Sequence, residues 1–320
     1  MKTLFLCFIC AVVFVVGYFF GILHSIGPCE DATQIKKPYE TLQIKDLEVT
    51  SPRYQALLLV IIFSSPGNHE RRKIIRDTWL QTKADKDILH FFAIGSKLLN
   101  AEKIQSLEDE NIKYKDLLML DKVQDSFSKL SEKLREIFIW VEKNVSYTYV
   151  LKVDDDSFVH LDALNVALSQ MPKSKTYWGY FDGQANVKKV GKWAERNWFL
   201  CDKYLPYAKG GGYVLSRDLV HQIVINAEYL SMYKNEDVSL GVWLAPFEIN
   251  RLHDTRFDTE FMSRGCSNAF LVTHKQTVEM MIEKYQNIKR TEKLCSFEYQ
   301  NRSNYTYNWS VLPSKCCIKD

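Results

Sequence analysis

The sequence predicts an α/β domain built on a mainly parallel sheet with helices on both faces. Short, unbroken apolar runs alternate along the chain with segments whose apolar residues recur every three to four positions. The first kind of run suits strands that are covered on both faces, and the second suits amphipathic helices. Strands that alternate with helices are typical of parallel sheets. The length of 320 residues allows one or two such domains.

The individual elements follow from the same patterns. The run ALLLVIIF reads as a buried strand, and YTYVLKV is rich in β-branched and aromatic residues. Asn68 is a candidate N-cap for the helix that carries Ile75 and Trp79 on one face. In order, the predicted strands are 56–63, 88–94, 116–120 and 147–153, and the predicted helices are 69–80, 98–110 and 123–141.

The N-terminal region predicts a membrane anchor. Residues 3–23 carry no charged side chain, and about 20 apolar residues cross a hydrocarbon core of about 30 Å. A cleaved signal peptide is the alternative, but its apolar region is shorter, at about 7–15 residues. Lys2 before the run and acidic residues after it predict a type II orientation. The predicted regions are a cytoplasmic tail (1–2), a signal-anchor helix (3–26), a lumenal stem (27–54) and a catalytic domain (55–320).

The cysteines and glycosylation sequons agree with a lumenal domain. Two of the eight Cys lie in the apolar run, and the other six lie where disulfides form. We expect the adjacent Cys316 and Cys317 to pair with different partners, in a pattern that the sequence does not define. The candidate glycosylation sites are Asn144, Asn301, Asn304 and Asn308.

The overall composition excludes several classes of protein. With 42 Lys and Arg against 39 Asp and Glu, the net charge is +3, and 46% of residues are hydrophobic. A disordered chain has fewer apolar residues and more net charge. A dedicated nucleic-acid binder usually has a basic excess, so we expect no nucleic-acid partner.

Three adjacent carboxylates follow the predicted strand 147–153. Asp154, Asp155 and Asp156 lie where ligands bind in such sheets, outside the carboxyl end of a strand. Adjacent carboxylates repel one another unless a cation compensates them, and Mg²⁺ or Mn²⁺ bridges carboxylates to substrate phosphates. A solvated acidic turn is the alternative.

Two later motifs could join this chemistry. Glu236 and Asp237 precede an apolar segment, so they either cap a helix or supply a general base, and the two roles are compatible. His274 follows an apolar run and is usually a packing residue in such a place, but imidazole can join carboxylates around Mn²⁺.

The segment 193–212 combines aromatic residues with a glycine triplet. Aromatic rings stack on the apolar faces of sugars, and glycine lets a backbone approach a ligand closely. A structured loop with core aromatics is the alternative, and the glycines do not form a P-loop or a GxGxxG motif. The candidate sugar-binding residues are Trp193, Trp198, Tyr204, Gly210, Gly211, Gly212 and Glu236.

Four motifs in order resemble the β-1,3-glycosyltransferases of glycosyltransferase family 31. They are RRKIIRDTW, VDDDSFV, YAKGGGYVLS and EDVSLG. Longer segments, such as RFDTEFMSRGCSN, resemble the members that build the glycosaminoglycan linkage region. The resemblance implies a GT-A fold in the Golgi membrane, Mn²⁺, a UDP-galactose donor and a galactosyl-xylosyl acceptor on a proteoglycan core protein.

The resemblance also implies roles for single residues. Asp156 and His274 would bind Mn²⁺, Asp154 and Asp155 would lie near the ribose and diphosphate, and Asp237 would be the catalytic base. Arg72 and Arg76 would lie near the nucleotide, or else support the fold through ion pairs.

The alternatives to this function share the same motifs. One is a family-31 β-1,3-N-acetylglucosaminyltransferase, or a galactosyltransferase with another acceptor. A more remote one is a non-catalytic, membrane-tethered lectin on the same fold.

Overall fold

The computed structural model describes residues 52–81 and 87–319. The predicted cytoplasmic tail, the signal anchor and most of the stem lie outside the described residues. Among the residues that are described, no helix is both long and apolar enough to cross a bilayer.

A seven-stranded sheet forms the centre of the domain, in the order β3-β2-β1-β4-β7-β6-β8. Its strands are β1 (Tyr54–Phe63), β2 (Ile88–Gly95), β3 (Leu117–Leu120), β4 (Val145–Asp154), β6 (Thr176–Asp182), β7 (Tyr207–Ser216) and β8 (Asn250–His253). Shorter strands are β5 (Phe158–Val159), β9 (Phe257–Asp258), β10 (Gly265–Cys266), β11 (Val272–Thr273), β12 (Tyr299–Gln300), β13 (Tyr305–Tyr307) and β14 (Cys317–Lys319).

The helices are α1 (His69–Asp77), α2 (Ala101–Tyr114), α3 (Leu130–Asn144), α4 (Leu161–Leu168), α5 (Arg217–Ile225), α6 (Glu236–Trp243) and α7 (Val278–Thr291). Single 3-10 turns occupy Trp79–Gln81, Phe127–Lys129 and Pro313–Lys315.

The central sheet is mainly parallel, as the sequence predicts. β1 pairs in parallel with β2 and with β4, β2 pairs in parallel with β3, and β6 pairs in parallel with β8. Only β7 runs against its neighbours β4 and β6 among the described strands of this sheet. The glycine triplet lies in β7, so it forms part of a strand and not of a loop.

Helices cover both faces of the sheet, so the predicted layer order is confirmed. Leu58, Val60 and Ile62 of β1 pack on one face with side chains of α1, α2, α4 and α7. Leu59 and Ile61 pack on the other face with side chains of α3, α5 and α6. Each buried side chain of this size contributes about 1.5–3 kcal/mol relative to its exposed state.

Asn68 occupies the predicted N-cap position of α1, and its carbonyl accepts from the backbone of Arg72 at 3.1 Å. No hydrogen bond from its side chain caps α1. Its Nδ2 donates instead to Asp155 Oδ2 at 2.7 Å, and Ser64 Oγ donates to the same oxygen. Asn100 does cap α2, accepting from the backbone of Lys103 at 3.0 Å, so this helix begins later than predicted.

The prediction for the adjacent cysteines is wrong. Cys316 and Cys317 form a disulfide with each other, and Cys316 is fully buried in the core of the α3 face. A second disulfide joins Cys266 of β10 to Cys295, which follows α7. Cys201 is a free, exposed thiol, and Cys29 lies outside the described residues.

Candidate functional site

The three carboxylates at the end of β4 point in different directions. Asp154 and Asp156 turn toward His274, while Asp155 turns toward the end of β1 and is 8% exposed. The backbone of Gln276 donates to the carbonyl of Asp156 at 2.8 Å and holds the segment after β11 against the triplet. The chain therefore separates one Asp from its two neighbours and places an imidazole between those two.

Asp154, Asp156 and His274 form a candidate metal centre. One ligand atom from each lies within 4.8 Å of the other two. His274 Nε2 is 3.0 Å from Asp156 Oδ1 and 3.4 Å from Asp154 Oδ2. Sequence reasoning predicted Asp156 and His274 as ligands, whereas it placed Asp154 beside the ribose and diphosphate. The geometry brings Asp154 into the candidate metal centre.

The orientation of His274 fits a cation at this place. Its Nδ1 lies 2.9 Å from the carbonyl oxygen of Glu260, which requires that this nitrogen carries the proton. Nε2 is buried, has no hydrogen-bond donor facing it, and is directed at two carboxylates. A lone pair there needs a proton or a metal ion between it and the carboxylates, and two carboxylates with one imidazole are ligands that Mn²⁺ accepts.

Neighbouring charges shift the pKa values of His274 and Asp154 in this group. Burial opposes a charged imidazole, but the carboxylates of Asp154 and Asp156 beside Nε2 outweigh burial and raise the pKa of His274 to about 9. Burial likewise opposes ionisation of Asp154, but the charge of Lys152 and the contact with His274 hold the pKa of Asp154 well below its usual value. The carboxylates are thus ionised and available for a cation.

Asp155 binds side chains at the end of β1 and in the turn that follows it. Ser64 Oγ donates to its Oδ2 at 2.8 Å and Asn68 Nδ2 at 2.7 Å. Burial raises the pKa of this carboxyl despite the two hydrogen bonds. Asp155 links the ends of β1 and β4 and is not one of the three grouped ligands.

Glu236 and Asp237 begin α6, as the sequence predicts. Asp237 is half-buried; Gly210 N–H donates to its Oδ2 at 3.0 Å and Val238 N–H to its Oδ1 at 2.8 Å. Burial and the adjacent charge of Glu236 raise the pKa of Asp237 to about 7, against the lowering effect of Lys152 and Lys209. A carboxylate with this pKa is suited to act as a general base near neutral pH.

Lys152 of β4 is a site residue that sequence reasoning missed. Its side chain is 2% exposed, and its Nζ donates to Asp154 Oδ1 at 2.8 Å and to Glu236 Oε1 at 2.6 Å. A lysine inside the otherwise apolar run YTYVLKV was the available signal, because Lys is almost never fully buried without a partner. Glu236, predicted as a sugar-binding residue, is therefore a buried partner of this lysine.

The glycine triplet allows β7 to approach both groups. A Cβ at Gly211 would lie 2.6 Å from the ring of His274. A Cβ at Gly210 would lie 2.9 Å from Glu236 Oε1 and 3.2 Å from Asp237 Oδ2. Gly212 packs against Val272 of β11. The close approach that the sequence suggested is thus to protein side chains that form the site.

The aromatic residues before the triplet divide into two groups. Trp198 and Tyr204 are 7% and 4% exposed and pack with Tyr207 and Tyr233 in a small core. They fit the alternative of core aromatics in a structured loop. Trp193 is half-buried and meets the ring of Phe127 edge to face, with centroids 5.2 Å apart.

Arg72 and Arg76 are partners of buried carboxylates. Arg72 donates to both oxygens of Glu110 at 2.7–2.8 Å, and Arg76 binds Glu110 and Asp116 at 2.8 Å. Their side chains are 1% and 7% exposed. Of the two roles considered for them, these contacts match the ion pairs that support the fold, and a place near the nucleotide stays a prediction. Two cations that the prediction omitted lie at this end of the sheet: Lys275 Nζ is 2.8 Å from Asp156 Oδ2, and Arg71 donates to the Gln276 carbonyl at 3.3 Å.

This assignment predicts a loss of stability on substitution. Replacing Arg72 with Met leaves Glu110 buried with one of its two cations missing, which costs about 3–5 kcal/mol. We expect urea unfolding to show this loss, with donor KM per folded molecule unchanged. A raised KM at unchanged stability would contradict the assignment.

The four sequons lie at differing depths. Asn301 is exposed, whereas Asn144, Asn304 and Asn308 are half-buried. Asn144 ends α3 and donates to the carbonyl of Trp140 at 2.7 Å. Asn304 accepts a hydrogen bond from Arg264. Glycosylation at these positions stays a prediction.

Comparisons with known proteins identify the family of this chain. The galactosyltransferase family model matches residues 70–255. The mouse β-1,3-galactosyltransferase 6 is 46% identical over 83% of this chain and 84% of its own length. A Xenopus tropicalis UDP-GalNAc:β-1,3-N-acetylgalactosaminyltransferase 2 is 28% identical over 68% of this chain, which spans 43% of that protein. The solved structure of a galactosyltransferase, LgtC, in complex with donor and acceptor sugar analogues matches 70% of this chain and 94% of the LgtC chain. The sequence identity is 8% and the TM-score is 0.42, which is too low to establish a shared fold. The extent of the family match and the mouse relative together show that this chain belongs to the galactosyltransferase family, as a β-1,3-galactosyltransferase.

Proposed function

We propose that this enzyme transfers galactose from UDP-galactose to O3 of a terminal β-galactose on a galactosyl-xylosyl protein, with inversion at the anomeric carbon. The product is part of the glycosaminoglycan linkage region. The observation that carries the proposal is that Asp237 lies against Gly210, while the next residue, Gly211, lies against His274 of the Asp154–Asp156–His274 group. The printed name of the mouse relative supports galactose as the sugar and β-1,3 as the linkage.

A divalent cation belongs to this proposal. Asp154, Asp156 and His274 would hold it, and we propose Mn²⁺ because the donor set combines two carboxylates with an imidazole. When bound, the ion stabilises negative charge on the departing UDP.

Asp237 takes the proton in the proposed reaction. The acceptor O3 forms a bond to C1 of galactose, and the bond from C1 to the phosphate oxygen breaks with its electron pair leaving on UDP. The O3 proton passes to the Asp237 carboxylate. Because the donor is an α-glycoside and the product is β, one base and one in-line attack suffice. Such a positioned base contributes about 10²–10⁴-fold to the rate.

Two cavities lie close in sequence to the elements of the site, but neither is lined by Asp237 or by the candidate metal ligands. One, of about 520 Å³, is lined by Tyr233 and Lys234, directly before α6. The other, of about 260 Å³, is lined by Asp182, the ion-pair partner of Lys209 on β7.

The pH dependence of transfer follows from the base. With the pKa of Asp237 at about 7, the carboxylate is protonated and inactive below that pH and is available above it. We expect kcat/KM to rise about tenfold per pH unit below pH 6 and to level off above pH 8. A pH–rate profile with saturating Mn²⁺ checks this, and a flat profile from pH 5 to 8 would exclude Asp237 as the base.

We also propose a Golgi location, with the domain in the lumen and a type II anchor at residues 3–26. The uncharged run at residues 3–23 supports the anchor, and the Cys266–Cys295 disulfide fits an oxidising compartment. Protease protection in sealed Golgi vesicles tests the orientation: the domain should be degraded only after detergent is added.

The deciding experiment offers the enzyme three donors, UDP-galactose, UDP-N-acetylglucosamine and UDP-N-acetylgalactosamine, with a galactosyl-β1,4-xyloside acceptor. We expect transfer from UDP-galactose alone, a β1,3 product by NMR, and loss of activity in EDTA that Mn²⁺ restores. Transfer of another sugar, or an α product, would overturn the proposal.

One alternative donor has a specific observation in its favour. Several relatives are named as UDP-GalNAc:β-1,3-N-acetylgalactosaminyltransferases. The same panel decides between the two donors. Binding of saccharide without transfer from any of the three would instead favour the non-catalytic lectin.

A further inference from the structure

One lysine connects the two halves of the site. Lys152 Nζ donates to Asp154 Oδ1 at 2.8 Å, to Glu236 Oε1 at 2.6 Å and to the Gly210 carbonyl at 2.6 Å. An ammonium group has three N–H bonds, so these three acceptors use all of its donors. Asp154 belongs to the metal-binding group, Glu236 begins α6, and Gly210 holds Asp237 through its N–H.

The ammonium group of Lys152 is buried. The side chain is 2% exposed, and Nζ lies 4.6 Å from the centroid of the Phe63 ring. A buried ammonium is costly unless it is paired and hydrogen-bonded. Two carboxylates and one carbonyl meet that requirement, and they come from β4, α6 and β7.

Asp237 and Lys152 bind the same glycine. The carboxylate of Asp237 accepts from Gly210 N–H, while Lys152 binds the carbonyl of the same glycine and the side chain of the preceding Glu236. The charged groups that influence Asp237 are Glu236, Lys152 and Lys209. Lys152 is therefore the one among them that also contacts a metal-binding residue.

We propose that Lys152 is a positioning residue that sets the distance between the metal-binding group and the carboxylate of Asp237. The proposal rests on the proposed function for the role of Asp237. Lys152 contacts neither donor nor acceptor; it acts by fixing α6 and the Gly210 backbone relative to Asp154. A displacement of about 1 Å between reacting groups can cost about 10²-fold in rate.

The test replaces Lys152 with Met, which keeps the length of the side chain and removes the three contacts. The value of kcat per folded molecule and its dependence on pH are measured at saturating Mn²⁺, with whichever UDP-sugar the wild-type enzyme transfers. We expect kcat to fall about 100-fold. We also expect the acidic limb of the pH profile of kcat to move to higher pH. The ammonium group of Lys152 favours the ionised form of Asp237, so its removal raises the pKa of Asp237.

Lys133 provides the matched control. It is also 2% exposed, and its Nζ donates to the Ser64 carbonyl at 2.6 Å and to Asp125 at 2.8 Å, with no contact to Asp154, Glu236 or Gly210. Lys133→Met should lose stability while its acidic limb stays at the wild-type pH. The proposal is overturned if kcat of Lys152→Met lies within threefold of Lys133→Met, or if its acidic limb does not move.

A second variant keeps the test decisive if Lys152→Met does not fold. Glu236→Gln breaks the ion pair from the other side, so kcat should also fall, but its acidic limb should move to lower pH because a negative neighbour is removed. An unmoved limb would overturn the proposal. Because the assay uses any donor that is transferred, an error in the proposed donor shows in the donor panel and leaves this test intact.

Discussion

Asp237→Asn is expected to lower transfer by about 10²–10⁴-fold while UDP and Mn²⁺ still bind. Asparagine has nearly the same shape and can still accept the hydrogen bond from Gly210 N–H, so α6 keeps its place. It cannot take a proton from the acceptor hydroxyl, so the chemical step is lost and binding is kept. Single-turnover rates, with UDP binding by calorimetry, separate the two effects.

Asp218→Asn is the matched control for this variant. Asp218 also lies in the first turn of a helix, α5, and its Oδ2 also accepts a backbone N–H from another segment, that of Lys175 at 2.7 Å. Its replacement should leave transfer within about twofold of wild type. If Asp237→Asn retained more than a tenth of the wild-type rate, another group would have to be the base.

Asp156→Ala is expected to weaken Mn²⁺ binding more than about 100-fold and to lower transfer about 10³-fold. The substitution removes the carboxylate oxygen that lies 3.0 Å from His274 Nε2. His274 and Asp154 alone would bind the ion weakly. Titration of Mn²⁺ followed by electron paramagnetic resonance measures the affinity directly and needs no substrate.

The neighbouring Asp155 supplies the control. Asp155→Asn changes a carboxylate of the same triplet that binds Ser64 and Asn68. Its Mn²⁺ affinity should stay within about threefold of wild type. Equal losses in the two variants would mean that the net charge of the triplet, and not the specific group of three ligands, binds the metal.

The strands of this fold could be predicted because burial on two faces leaves a strong pattern. The run at β1 has no polar residue between positions 56 and 63, and its two neighbours in the sheet, β2 and β4, read almost as clearly. Helix ends were harder, because a cap depends on a single side chain. Asn68 is a good cap by type, but a buried carboxylate far along the chain competes for it.

The residues of the site could be predicted from the sequence, but their arrangement only in part. Adjacent carboxylates at a strand end, a carboxylate pair before a helix and a histidine after a strand are visible as residue types. Their directions depend on tertiary contacts: Asp155 turns to Ser64, and Glu236 turns to Lys152. Ion pairs between distant segments, such as Arg72 with Glu110, leave no local pattern.

The glycines of β7 have a consequence for how this protein can vary. A methyl group at Gly211 would displace His274, and one at Gly210 would push against Glu236 and Asp237. Loss-of-function alleles are therefore expected at positions that carry no reactive group. A larger residue there could be tolerated only together with a compensating change on the facing segment, so β7 and the segments that hold His274 and Asp237 should evolve as one unit.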